Sequence, residues 1–159
     1  VPQDYYSAIY EAVRIWNDLG QNLLLKDFFS IDESSPGSPT AEQDGFSKIY
    51  FLDDNFSIGR DKQAKTTVYW TGKEIYEADV CINYTDFNYY LIDNRPDPSR
   101  VHLPSLIVHE LGHILGLDHN NVSDSIMNKN LKNGVNRTTI RRKDILNLLC
   151  EYPKETHNN

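Results

Sequence analysis

Three histidines and one glutamate at fixed offsets constrain this chain more than anything else in it. The segment His109-Glu110-Leu111-Gly112-His113-Ile114-Leu115-Gly116-Leu117-Asp118-His119 reads H-E-x-x-H-x-x-G-x-x-H. Residues four apart on a helix share a face, with about 5–6 Å between their Cβ atoms. His109 and His113 can therefore address one ion from the same side. Glu110, one position along, points beside that ion and is placed to act as a base. Gly116 falls where the helix must end if the chain is to turn back, and glycine tolerates the left-handed backbone of such a turn. His119 then reaches the same ion. Three protein nitrogens and an open fourth position are the donor set of a catalytic zinc, whereas structural zinc sites are closed. A zinc ion held so makes water a good nucleophile near neutral pH, lowering its pKa from 15.7 to about 7. Glu110 would take the proton of the attacking water and pass it to the departing amine. The expected chemistry is metal-assisted amide hydrolysis with one Zn²⁺.

The residues around the pattern support a buried helix. Leu106, Ile107, Val108, Leu111, Ile114 and Leu115 frame it with apolar side chains, and Pro104 suits an early helical position. The chain has 159 residues, enough for one domain with a real core, and a formal net charge of −7. That balance argues against a nucleic-acid partner or an anionic membrane surface. No apolar run is long enough for a membrane-spanning segment, and no signal-peptide pattern is visible. The expected partner is a polypeptide substrate, and the expected state is a monomer.

Along the chain, Tyr6, Ile9, Tyr10, Val13, Trp16 and Leu19 recur at helical spacing from Asp4 to Leu19, with Gly20 as the stop. Leu23 to Phe29 reads as a strand. The Ser-, Pro- and Gly-rich stretch from Asp32 to Gly45 reads as a loop. Lys48–Leu52, Thr66–Trp70 and Ala78–Asn83 read as strands, the second rich in β-branched and aromatic residues. Tyr84 to Val101 reads as irregular. After the histidine helix, Asn120 to Thr138 is polar loop. Ile140, Ile145, Leu148, Leu149 and Tyr152 then predict a closing helix stopped by Pro153.

Eight residues beyond His119, the segment Ser125-Ile126-Met127-Asn128 holds the only methionine. Together with the extended histidine pattern it makes the chain resemble the metzincins, the zinc endopeptidases marked by that motif and a downstream Met-turn. Within them it is most similar to the matrixins, through Gly112, the Leu115-Gly116-Leu117 run and Asp144-Ile145. It departs from that branch in having Asn120, where serine is usual, and only His102 upstream of the motif. A second, structural zinc held by upstream histidines is therefore not expected. The resemblance implies an α/β (α+β) metzincin fold: a mixed, twisted four- or five-stranded sheet with an N-terminal helix, an active-site helix and a C-terminal helix. It implies an upper subdomain over residues 1–119 and a lower one over 120–159. Met127 would lie beneath the metal as an apolar floor, and Thr66–Trp70 would be the edge strand to which an extended substrate adds. It further implies a secreted protein, extracellular or periplasmic.

Other features stay open. Cys81 and Cys150 allow either one disulfide or two free thiols. Asp53-Asp54-Asn55, and Asp93-Asn94 with Asp97, offer oxygen ligands for Ca²⁺, although no EF-hand pattern is present. His102 is expected to be hydrogen-bonded rather than a ligand. Lys129, Lys132 and Arg137 follow the Met-turn and could tune side-chain preference or simply aid solubility. Two rivals stand beside the endopeptidase: a zinc amidohydrolase acting on cell-wall peptides, and a non-catalytic module in which zinc organises a binding surface.

Overall fold

The computed structural model describes residues 1–25, 27–34, 40–52, 59–91 and 95–153. A 3-10 turn, Gln3–Tyr5, leads into helix α1, Tyr6–Asn22. Its buried residues Ala8, Ile9, Ala12, Trp16 and Gly20 follow the three- and four-residue spacing of one helix face. The helix runs past Gly20, which is buried inside it instead of ending it. The small residue is accommodated because the closing bonds form one turn later, from Leu23 N–H to Leu19 O and from Leu25 N–H to Gly20 O.

The strand expected over Leu23–Phe29 is not formed by its described residues. Asn17 is the reason. Its side-chain oxygen accepts the Phe28 and Phe29 N–H groups at 2.9 and 3.0 Å, and its amide donates to Phe29 O at 2.8 Å. Backbone groups that a sheet would pair are thus held against the helix, and Leu24 turns through a positive φ of 59°.

Three strands make the main sheet: β1 Lys48–Leu52, β2 Ala64–Thr71 and β3 Glu74–Asn83, in the order β1-β3-β2. β1 runs parallel to β3, while β2 is antiparallel to it, with a bulge between Tyr69 and Trp70. β3 is buried at every residue from Glu77 to Asn83, as a central strand covered on both faces must be. Among the described residues β2 has one strand neighbour, so its other edge faces the cleft. Two short strands, β4 Tyr89–Tyr90 and β5 Val101–His102, pair parallel as a separate ladder. Among the described residues the five strands are therefore divided between a sheet of three and a pair, within a mixed α/β architecture.

Helix α2, Leu103–Ile114, carries the first two histidines, and helix α3, Arg142–Glu151, closes the chain. The core is shared by all the parts that bear on the site. Trp16 of α1, Val80 and Ile82 of β3, Leu106 and Ile107 of α2, Leu148 of α3 and Met127 from the turn between α2 and α3 form one buried cluster. Trp16 also donates its indole N–H to Val108 O at 3.0 Å, a buried bond that locks α1 against α2. Cys81 is buried, Cys150 is exposed, and both are free thiols. Burial holds the Cys81 thiol pKa above its ordinary value. Residues 53–55 and 93–94, singled out in the sequence, lie outside the described residues. Asp97 is described, and its carboxylate accepts the Ser99 N–H and hydroxyl and pairs with Arg100.

Candidate metal centre and cleft

Helix α2 ends where the motif needs it to. Leu117 N–H donates to Gly112 O, and Gly116 N–H to His113 O, both at 3.0 Å, with Gly116 at φ +85°. This pair of bonds is a Schellman closure, which reverses the chain within two residues. His119 is thereby carried back to the exit of the helix.

The three imidazoles converge. Their Nε2 atoms stand 3.1 Å (His109–His119), 3.2 Å (His109–His113) and 3.2 Å (His113–His119) apart. Three nitrogens about 2.0–2.1 Å from a tetrahedral zinc would lie roughly 3.3 Å from one another, so the triangle has the size of a zinc ligand set. The tautomers agree. His109 Nδ1 lies 2.7 Å from Ile126 O, and His113 Nδ1 lies 2.8 Å from Leu117 O. A carbonyl can only accept, so each Nδ1 carries the proton and each Nε2 presents a lone pair. Lone pairs facing each other at that separation repel unless a cation sits among them. Burial also holds the His109 pKa down to about 3 and lowers that of His113, which keeps both rings neutral and fit to ligate. The three histidines could hold a metal ion.

Glu110 lies beside this triangle and is buried. Thr66 of β2 donates its hydroxyl to Glu110 Oε2 at 2.5 Å. Burial pushes the Glu110 carboxyl up to about 7, with the Thr66 bond opposing the shift. The sequence marks Thr66 as part of the expected substrate-binding edge strand and not as a partner of Glu110; no local pattern shows that contact, because it joins residues 44 apart.

The turn at Met127 is built as a support. Met127 is fully buried, and a Cβ placed on Gly112 would overlap its sulfur, so the absence of a side chain at Gly112 lets the turn close under α2. Ser125 anchors that turn. Its Oγ accepts the Asn120 side-chain amide at 2.7 Å and the Met127 N–H at 3.0 Å, and donates to the buried carboxylate of Asp144. Asn120 N–H donates in turn to Met127 O at 2.9 Å. The residue that departs from the usual serine thus stitches the segment of the third histidine to the turn. Arg137 fixes the following loop, donating to Asn128 O at 3.0 Å and Asn130 O at 3.1 Å. His102 is fully buried, with Nδ1 2.7 Å from Ser105 Oγ, away from the triangle.

A cleft of about 960 Å³ passes over the histidines, walled by β2 on one side and by residues 128–132 on the other. The matrixin family model matches residues 29–151, more than three quarters of the chain and the whole of this site. The chain belongs to the matrixin family. Matrixins use zinc, and membership points to a zinc metalloprotease, a class whose substrates are polypeptides. No curated protein matches the sequence. Matrixins are typically extracellular, and no described helix here is long and apolar enough to cross a membrane.

Proposed function

We propose that this matrixin is a secreted, monomeric zinc endopeptidase cutting extended polypeptides, with one catalytic ion. The observation that carries the reading is the convergence of three Nε2 atoms at 3.1–3.2 Å beside a buried carboxylate. His109, His113 and His119 hold the zinc. Bound there, the ion would polarise the scissile carbonyl and make water a competent nucleophile. Glu110 accepts that water's proton and returns it to the leaving nitrogen. Thr66 holds the Glu110 carboxylate toward the reacting centre. Met127 supports the floor, and the carbonyls of Ile126 and Leu117 keep two ligand rings in register.

The polypeptide adds along the open edge of β2, its backbone pairing with the strand and its side chains entering the cleft on either side. Residues 1–119 supply the upper wall and the zinc helix, and residues 120–159 the lower wall.

Replacing Glu110 with Ala tests the assignment. Turnover of a denatured protein substrate is expected to vanish while zinc content stays near one equivalent. Retained turnover would remove Glu110 from its role. Hydrolysis of cell-wall fragments with none of denatured protein would replace the endopeptidase by an amidohydrolase.

A further inference from the structure

The charge lining the cleft runs against the charge of the chain. The protein carries a net charge of −7, yet Lys62, Lys65, Lys73, Lys129 and Lys132, five of its nine lysines, line this one cleft. The lining includes only three carboxylates, one of them Glu110. All five lysines are exposed, and none is in an ion pair among the described residues. Lysines placed for solubility alone would be scattered over an acidic surface instead of gathered on two facing walls.

Four of the five are also gathered at one end. Gln63 donates its side-chain amide to Leu131 O at 2.9 Å, which brings the start of β2 against the loop after the Met-turn. Lys62 and Lys65 lie within two residues of Gln63, and Lys129 and Lys132 within two of Leu131, so four cleft-lining lysines stand close along the chain to that contact. β2 then passes Glu110 at Thr66, and beyond it the lining turns apolar: Val68, Trp70 and Ile75. Trp70 is 67% exposed, a large indole face left open on the groove. Lys73, in the turn between Trp70 and Ile75, lines this end too, so the groove has four lysines on one side of the metal centre and, on the other, an apolar surface with a single lysine.

Resting on the endopeptidase reading, we propose that the substrates are polypeptide segments with acidic residues on one side of the scissile bond and a large apolar residue on the other. Lys62, Lys65, Lys129 and Lys132 select the acidic flank, and Trp70 with Val68 and Ile75 the apolar one. Exposed charge pairs are individually weak, so selection comes from four cations acting on one flank, and it weakens with salt because the groups are solvated.

The test uses the zinc-loaded protein and peptides that differ only in Glu against Gln on one flank at a time. On one flank, Glu is expected to raise kcat/KM by about tenfold at low salt, with the advantage shrinking severalfold in 0.5 M salt, a level at which screening is on the order of a few ångströms. On the other flank it gives none. The Lys129→Glu/Lys132→Glu variant reverses the preference, Lys129→Arg/Lys132→Arg retains it, and Trp70→Ala lowers selection for the apolar flank. A Glu-to-Gln change that alters kcat/KM less than twofold on both flanks would overturn the proposal. The same peptides, fluorescently labelled, are titrated onto zinc-loaded Glu110→Ala. If the unaltered protein cuts none of them, the endopeptidase reading fails, and the binding ratio alone decides the cleft: a Glu advantage keeps it, equal binding overturns it.

Discussion

Asp144 on the last helix accepts the hydroxyl of Ser125 in a buried hydrogen bond, tying the C-terminal helix to the turn under the histidines. Its other oxygen accepts Arg141 N–H at 2.9 Å and Ile126 N–H at 3.4 Å, and the Ile126 carbonyl orients His109. One carboxylate thus acts on the metal centre at two removes. Asp144→Ala leaves several buried donors without a partner and is expected to cost about 2–4 kcal/mol of stability. It is also expected to weaken zinc binding on the order of tenfold, the usual scale for groups behind a ligand. Urea unfolding and competition with a chelator measure the two effects. Unchanged zinc affinity would confine Asp144 to a purely structural role.

Gly112 and Met127 pack so closely that no Cβ fits between them. Alanine is ordinarily the better helix residue by about 1 kcal/mol. Here its Cβ would overlap the Met127 sulfur and stand 3.2 Å from Trp16 Cζ2. Gly112→Ala is therefore expected to destabilise by about 1–3 kcal/mol. In a Met127→Ala background, where the sulfur is gone, that cost should fall by about 1 kcal/mol or more. A double-mutant cycle from denaturant unfolding reads the difference; additive changes would place the clash elsewhere.

Asp79 supplies a pH dependence remote from the metal. It is buried on β3, its Oδ1 accepts Lys48 N–H at 3.3 Å, and its Oδ2 has no hydrogen-bond partner among the described residues. Burial pushes its carboxyl from 3.8 up to about 6; Glu77 and Asp44 add to the shift, while the Lys48 N–H and ammonium oppose it. The folded protein therefore keeps this proton between about pH 4 and 6, where the unfolded chain has lost it, and stability falls as pH rises through that window. Asp79→Asn should melt higher than the unaltered protein at pH 7, with the gain gone below about pH 4. An equal difference in Tm at both pH values would contradict the assignment.

What could be read from the sequence was what lies close together in it. His109 and His113 share a helix face by spacing, and Gly116 marks the reversal that returns His119, so the triangle was legible in eleven consecutive residues. The boundaries of β1 were legible for the same reason. The strand expected over Leu23–Phe29 fails because of one side chain, Asn17, 11 and 12 residues back, which captures the backbone a ladder would need. Thr66 and Ser125 were not legible as site residues, because their partners Glu110 and Asp144 lie 44 and 19 positions away. The meeting of Lys62 and Lys65 with Lys129 and Lys132 was hidden likewise: residues 62–65 and 129–132 are far apart in the chain and are joined by the Gln63–Leu131 bond.

The central claim is that three imidazole nitrogens take one zinc. Diffraction recorded on both sides of the zinc absorption edge from crystals of the zinc-loaded protein tests it most directly. A single anomalous peak is expected about 2.0–2.1 Å from the Nε2 atoms of His109, His113 and His119, with Glu110 beside the ion and not bound to it. A peak centred on other residues, or none between these three rings, would contradict it.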